Sequence, residues 1–231
     1  MRILALITAR AGSKRVPGKN TRVLGGKPLI SWSVDIVKNI SEICDVLVST
    51  DDPITADICQ KAGAYVPWLR PAELATDTAT SVDVALHALD CYESEIGPVD
   101  GLLLLQPTSP FRSVSTIQAG IRLFEEKDHR TVVGVSSVNE HPNRMFKKAG
   151  DYMVPYLVDN QLDARSQALT PLWVVNGGFY LISPQSLRSH KTFFANQVIP
   201  LLVASSEEAL DIDTEWDFKL AEFIAANLNA T

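Results

Sequence analysis

Between residues 7 and 22 the chain reads ITARAGSKRVPGKNTR, placing Arg10, Lys14, Arg15, Lys19 and Arg22 in one short loop of a protein whose formal net charge is −6. A local positive field in an acidic chain suits a small anion better than a nucleic-acid duplex. Gly12 and Gly18 let the backbone approach a ligand and Pro17 stiffens the chain, so exposed amides with Arg10, Lys14 and Lys19 can cradle phosphate oxygens, where otherwise the stretch is a solvated basic loop. The familiar phosphate loop does not fit. It needs four residues between its glycines and a hydroxyl after the lysine, whereas here five intervene and Asn20 follows Lys19.

A second candidate lies near the other end, in LDIDTEWD (210–217). On an extended segment Asp211 and Asp213 face one side while Ile212 packs inward. Two carboxylates on one face can seat Mg²⁺, whose shell phosphate oxygens and water complete. The competing reading is that Asp213 or Thr214 caps the last helix, with Glu215 in its first turn. A third stretch, QPTSPFR (106–112), offers Gln106, Thr108 and Ser109 as a rigid polar wall for a hydroxyl-rich substrate, or else a turn with Ser109 or Ser113 as a helix cap. Phe193 and Phe194, read by composition alone, belong to a core. The four histidines show no ligand spacing and no nucleophilic triad is evident, so phosphate-loop cations with paired aspartates point to phosphoryl or nucleotidyl transfer.

These stretches need a scaffold that brings them together. Apolar runs of strand length at 3–8, 45–50, 101–106, 131–137, 173–183 and 198–204 alternate in large part with helical patterns at 54–63, 81–93, 115–126 and 214–228. Pro28 opens a further helix whose apolar face holds Leu29, Ile30, Trp32, Ile36 and Val37. Such alternation predicts an α/β fold, a mostly parallel sheet with helices on both faces and ligands at the carboxyl ends of its strands. The basic loop, STDD (49–52) and QPTSPFR all follow strands and should share that rim. Residues 139–172 are polar and broken by prolines, which predicts a projecting segment within a single domain spanning 1–231. With 46% hydrophobic and 21% charged residues the chain can bury a sizeable core. No apolar run approaches the length of a membrane span, the N-terminal run is too short for a signal segment, and Cys44, Cys59 and Cys91 read as buried thiols. The expectation is a cytoplasmic protein without nucleic-acid or membrane partners.

ARAGSKRVPGKN, RPAELATDTATS, LLLLQPTSPFR, NGGFYLI and LDIDTEWDF occur in the order and spacing of the CMP-sialic acid synthetases, the acylneuraminate cytidylyltransferases, and the chain resembles that family from residue 3 to about 225. The resemblance implies a Rossmann-like fold of the nucleotide-diphospho-sugar transferase type. It also implies a homodimer in which residues 139–172 reach the partner's site, and the reaction of CTP with a nonulosonic acid, aided by Mg²⁺. By position it implies that Arg10, Ser13, Lys14 and Lys19 hold the CTP phosphates. Asn20, Arg70 and Ser81 would contact cytidine; Gln106, Thr108 and Ser109 the sugar; Phe193 and Phe194 an N-acyl methyl; Asp211 and Asp213 the metal. Asn20, where Kdo-activating relatives carry proline, disfavours Kdo. Sialate-specific members commonly have an arginine two residues before the Asn-Gly of NGGFYLI, whereas this chain has Val174 beside Trp173, which suit the methyl-ended tail of legionaminic or pseudaminic acid at least as well as the glycerol chain of an N-acylneuraminate. Two other classes combine nucleotide binding with such residues. One is a metal-dependent GT-A-type glycosyltransferase, whose Asp-x-Asp usually follows a mid-chain strand. The other is a non-catalytic nucleotide-binding homologue, which has no need of Asp211 and Asp213.

Overall fold

The computed structural model describes residues 1–158, 161–195 and 197–228; Asp159 and Asn160, inside the segment expected to project, lie outside the described residues. The central sheet has six strands: β1 (Ile3–Ala9), β4 (Ile43–Thr50), β5 (Gly101–Leu105), β6 (Val132–Ser137), β9 (Trp173–Ile182) and β10 (Ile199–Leu202). Their spatial order is β10-β6-β9-β5-β1-β4. Two short hairpins stand apart, β2 (Val23–Leu24) with β3 (Lys27–Pro28) and β7 (Phe146–Ala149) with β8 (Tyr152–Pro155). The helices are α1 (Leu29–Val37), α2 (Pro53–Lys61), α3 (Ser81–Glu95), α4 (Val114–Glu126), α5 (Pro184–His190) and α6 (Glu215–Leu228).

The two-residue period of β1 explains why this sheet is covered on both faces. Ile3, Ala5 and Ile7 join a core with Ile30 and Val34 of α1, Cys59 of α2 and Phe124 of α4, while Leu4 and Leu6 point the other way onto Ala85, Leu89 and Tyr92 of α3 and Leu187 of α5. Of the cysteines, Cys59 is buried, and burial pushes its thiol up to about 12; Cys91 is half-buried and Cys44 exposed, so only one of the three is the buried thiol expected.

β9 departs from the parallel rule and runs antiparallel to both β5 and β6. The reason is its connection. β6 ends at the rim with Ser137, the chain leaves through residues 138–172, and it returns paired at Ser137↔Trp173, with the Val138 amide donating to the Leu172 carbonyl at 3.2 Å. A parallel return would need a crossover to the opposite edge; this excursion starts and finishes at the same rim, so the strand must run downwards. The excursion carries the β7–β8 hairpin, on which Phe146, Tyr152 and Met153 are exposed.

A third apolar cluster positions the site. Val16 from the basic loop, Phe111 from QPTSPFR and Ile212 from between the two aspartates all pack with Leu24, Leu29 and the inner face of α6, Phe218, Ala221 and Ala225. Each chemistry-bearing stretch thus contributes one buried side chain to a shared core, worth about 1.5–3 kcal/mol apiece. Three segments far apart in sequence are held on one rim by that cluster. Among the described residues no helix is long and apolar enough to cross a membrane.

Candidate active site

The basic loop follows β1 and is closed by its own backbone. The Lys19 amide donates to the Val16 carbonyl at 3.2 Å, and Gly18 takes a left-handed φ of 63° that favours glycine. Asn20 donates its side-chain amide to the Arg10 carbonyl at 3.1 Å, and Asp51 accepts from the Ala11 amide at 3.0 Å. STDD therefore serves the loop through Asp51, while Asp52 caps α2. Asp77 reaches back from the 71–80 loop to pair with Arg10 at 2.6 Å and with Lys14. Those two cations hold its carboxyl below the usual range, the hydrogen bond from Lys14 contributing most.

Ile212 anchors the aspartates as the two-residue period requires. It is fully buried and donates its amide to the Thr108 carbonyl at 2.8 Å, while Asp211 and Asp213 face the opening. Thr214, not Asp213, caps α6: its hydroxyl accepts from the Asp217 amide at 3.3 Å, and Asp217 in return accepts from the amides of Asp213 and Thr214. Asp213 is thereby left to the site, paired with Arg15 at 3.1 Å and 3.9 Å from Lys19. The Lys19 ammonium donates to the Ile212 carbonyl at 2.8 Å. Burial pulls the Lys19 pKa down, against the opposing pull of Asp213 and Asp211. Asp211 opens to solvent on the cavity side, yet protein crowds the rest of its carboxyl. That burial pushes its pKa up, opposed by a hydrogen bond from Thr108 and reinforced by Asp213.

Two cavities meet here. The first, about 530 Å³, is lined by Arg10, Ser13, Lys14, Arg15, Lys19, Asn20 and Thr108 together with Asp213. The second, about 610 Å³, is lined by Ser136, Asn139, Val174, Asn176, Tyr180, Val203 and Leu220 among others. Gln106 and Asp211 line both, so the two cavities adjoin at these residues, the passage by which a ligand in one would reach the other. A larger cleft of about 690 Å³ between α1 and α6, lined by Trp32, Phe111, Phe223 and Ile224, holds none of the residues expected to bind substrate.

Of the expected site residues, Arg10, Ser13, Lys14, Lys19, Asn20, Gln106, Thr108, Asp211 and Asp213 come together around the first cavity. The others do not line either cavity. Arg70 is buried and its guanidinium donates to the Ala9 carbonyl at 3.2 Å, to the Ser49 hydroxyl at 3.0 Å and to the Ser49 and Leu74 carbonyls, which ties β1, β4 and the following loop together. Ser81 lies exposed in the first turn of α3, and Thr80 caps that helix. Ser109 is fully buried and donates to the Asn176 carbonyl at 3.4 Å. Phe193 packs in the core against Tyr180, and Phe194 is exposed at that ring's edge; only Tyr180 itself reaches the second cavity.

Arg112 and Asn176 position this region and were not singled out by spacing. Arg112 is buried and donates to the carbonyls of Gly178 and Gln106 and, at 3.1 Å, to Ser33, so it fixes the backbone of the residue at the passage. Burial pulls its pKa down, and Asp211 and Glu208 oppose that shift. Asn176 donates to the Ser136 hydroxyl at 2.9 Å and accepts from the Gly178 amide at 3.0 Å. The arginine at the end of QPTSPFR and the asparagine before two glycines were the available signals.

Asp211 and Asp213 offer hard oxygen donors beside a cation-lined cavity, which fits Mg²⁺. Among the described residues no group of three or more His, Cys, Asp or Glu side chains could hold a metal by itself, so phosphate oxygens and water would have to complete the shell.

The chain is similar to known proteins along nearly its whole length. The chain is 38% identical over 225 residues to a CMP-N,N'-diacetyllegionaminic acid synthase of Legionella pneumophila, covering 96% of this chain and 95% of that one. It is 33% identical to an N-acylneuraminate cytidylyltransferase of Streptococcus agalactiae over 94% of this chain, which spans only 52% of that longer protein. A solved CMP:2-keto-3-deoxy-manno-octonic acid synthetase in complex with CTP shares the fold at a TM-score of 0.74, with 15% identity over 99% of this chain and 100% of that one. Residues 4–165 match the family described as Cytidylyltransferase, and the chain belongs to that family.

Proposed function

We propose that this cytidylyltransferase joins CMP to a nonulosonic acid: CTP and the sugar give the CMP-sugar and pyrophosphate. The observation that supports the reading is that the two cavities adjoin at Gln106 and Asp211, so that a triphosphate in the cation-lined cavity would present its α-phosphorus to a sugar in the other. The sugar's anomeric oxygen forms a bond to that phosphorus in line, the bond to the β-phosphate oxygen breaks, and the hydroxyl proton is released. Arg10, Lys14 and Lys19 offset the charge that develops on the departing pyrophosphate, and the loop amides orient it. CTP phosphates would take Arg10 and Lys14 from Asp77, exchanging one anionic partner for another. Asp211 and Asp213 would hold Mg²⁺, which when bound adds Lewis-acid stabilisation of phosphate charge.

Among nonulosonic acids a legionaminate-like sugar fits best, because Val174 lines the second cavity where a cation would favour a more polar periphery, and because the Legionella relative bears that sugar in its name. The chain is read as a homodimer. Among the described residues lining the second cavity there is no lysine or arginine to meet a sugar carboxylate, whereas the projecting segment exposes Arg144, Lys147, Lys148 and Arg165 beside the apolar Phe146, Tyr152 and Tyr156. A cytoplasmic location matches the use of CTP.

The reading is tested by pyrophosphate release from CTP and Mg²⁺ with N,N'-diacetyllegionaminate, N-acetylneuraminate, diacetylpseudaminate and Kdo. Release with one of the first three, greatest with diacetyllegionaminate, is expected. CTP binding without release across the whole panel would overturn it in favour of a nucleotide-binding protein without turnover.

A further inference from the structure

We propose that the second cavity selects a sugar whose side chain ends in a methyl group, and that Val203 and Leu220 set this selectivity. The inference rests on the cytidylyl reading above and concerns a wall of the site distinct from Val174. Ser136, Ser137, Asn139 and Asn176 come from the ends of β6 and β9, with Val174 and Val175 beside them. From the β10–α6 side Val203, Ala204, Ala209, Leu210 and Leu220 present a shelf of aliphatic carbon, bordered by Ser205, Ser206 and Asp211. Ser205 beside it does not soften it, because its hydroxyl already donates to Glu207 at 2.7 Å and accepts from the Glu208 amide at 3.1 Å.

Neither residue is placed there by the demands of the core. The buried face of α6 is Phe218, Ala221 and Ala225, and Leu220, 42% exposed, lies off it. Val203 is held by its backbone, whose amide donates to the Val135 carbonyl at 2.8 Å, leaving its side chain to line the cavity. A methyl group against this shelf sheds water without losing a hydrogen bond. A hydroxyl against Val203 and Leu220 gives up its water, and neither side chain offers an acceptor or donor in exchange. N-acetylneuraminate ends in a trihydroxylated chain, whereas diacetyllegionaminate ends in a methyl and carries a second acetamido group; both present the same carboxylate and anomeric centre, so the shelf variants, and not the sugar pair alone, identify what reads the methyl end.

The test is kcat/KM for both sugars, at saturating CTP and Mg²⁺, in the wild type and in Leu220→Gln, Val203→Thr and Val174→Arg. An aliphatic pocket rejects an added hydroxyl by about 10²-fold at most. The wild type should therefore favour diacetyllegionaminate by about 10–100-fold, and Leu220→Gln and Val203→Thr should each cut that ratio severalfold with the KM for CTP unchanged. Val203→Thr keeps the side-chain shape, and a thermal melt of each variant beside the kinetics separates a change in selectivity from loss of fold. An unchanged ratio in both shelf variants, with Val174→Arg alone shifting it, overturns the inference, as does a wild-type preference for neuraminate. Wild-type enzyme that binds CTP but turns over neither sugar fails the cytidylyl reading itself.

Discussion

Gly177 sits where the backbone and the passage between the cavities meet, and Gly177→Ala separates stability from activity. Its φ of 75° lies in the left-handed region, and an added Cβ would fall 2.8 Å from the Gln106 Oε1 and 3.5 Å from the Ser109 hydroxyl. The backbone penalty is about 1–2 kcal/mol. For a chain of this size that lowers Tm by about 2–8 °C, at roughly 2–4 °C per kcal/mol. The steric clash adds little to stability, because Gln106 ends in a flexible amide that can swing aside. Swinging aside takes it out of the passage, and misplacing a positioning group by about 1 Å can cost about 10²-fold in rate. Thermal unfolding and pyrophosphate release together read both effects. Gln106→Ala is the control: combined with it, Gly177→Ala should still lower Tm but cost little further activity, since the displaced group is already gone. Near wild-type kcat/KM in Gly177→Ala, at the expected loss of Tm, would refute the placement of Gln106 between the two substrates.

Other variants probe the remaining parts. Asp213→Asn should retain CTP binding in a calorimeter yet lose turnover; full activity would remove Asp213 from the metal seat. Asp211 has a raised pKa, so its ionisation costs the folded state stability. That stability is intact below the ordinary carboxylate range and is lost as pH rises through the elevated pKa. Asp211→Asn should therefore melt above wild type at pH 7, converge with it in acid, and be inactive, all readable by thermal unfolding across pH. Lys19→Gln should cost about 10²–10³ in kcat/KM if it resembles removal of one charge-stabilising donor, measured by pyrophosphate release. Asp77→Asn removes the anion that pairs with Arg10 and Lys14 and should lower the KM for CTP with kcat little changed; a raised KM would show that Asp77 helps bind nucleotide instead.

The strands and their two faces were legible because continuous apolar runs such as ILALIT leave no polar side for solvent, and the alternation in Asp211-Ile212-Asp213 fixed which residue would turn inward. Periodicity names a buried face without naming what lies against it. Nothing in the spacing reveals that Val16, Phe111 and Ile212 share one cluster, which is why the convergence of their neighbours had to be inferred from the common rim. The direction of β9 was hidden in the excursion before it, not in its own residues. Polar residues next to a site proved the hardest to assign. Ser109 is buried against the Asn176 carbonyl and Arg70 among the Ala9 and Ser49 oxygens, positions that spacing alone does not reveal, and Asp77, in a loop of threonines and alanines, carries no pattern that would mark it as the partner of two cations. Phe193 followed its composition into the core, and Tyr180, which it supports, faces the cavity instead.

If nucleotide and sugar react where the two cavities adjoin at Asp211 and Gln106, phosphorus NMR of a single mixture of CTP, Mg²⁺, N,N'-diacetyllegionaminate and wild-type enzyme shows it. The CTP signals should give way to a CMP-sugar phosphodiester and pyrophosphate in equal amounts, and neither should form without the sugar. CTP that is hydrolysed without a phosphodiester, or that stays intact while bound, would rule the reaction out.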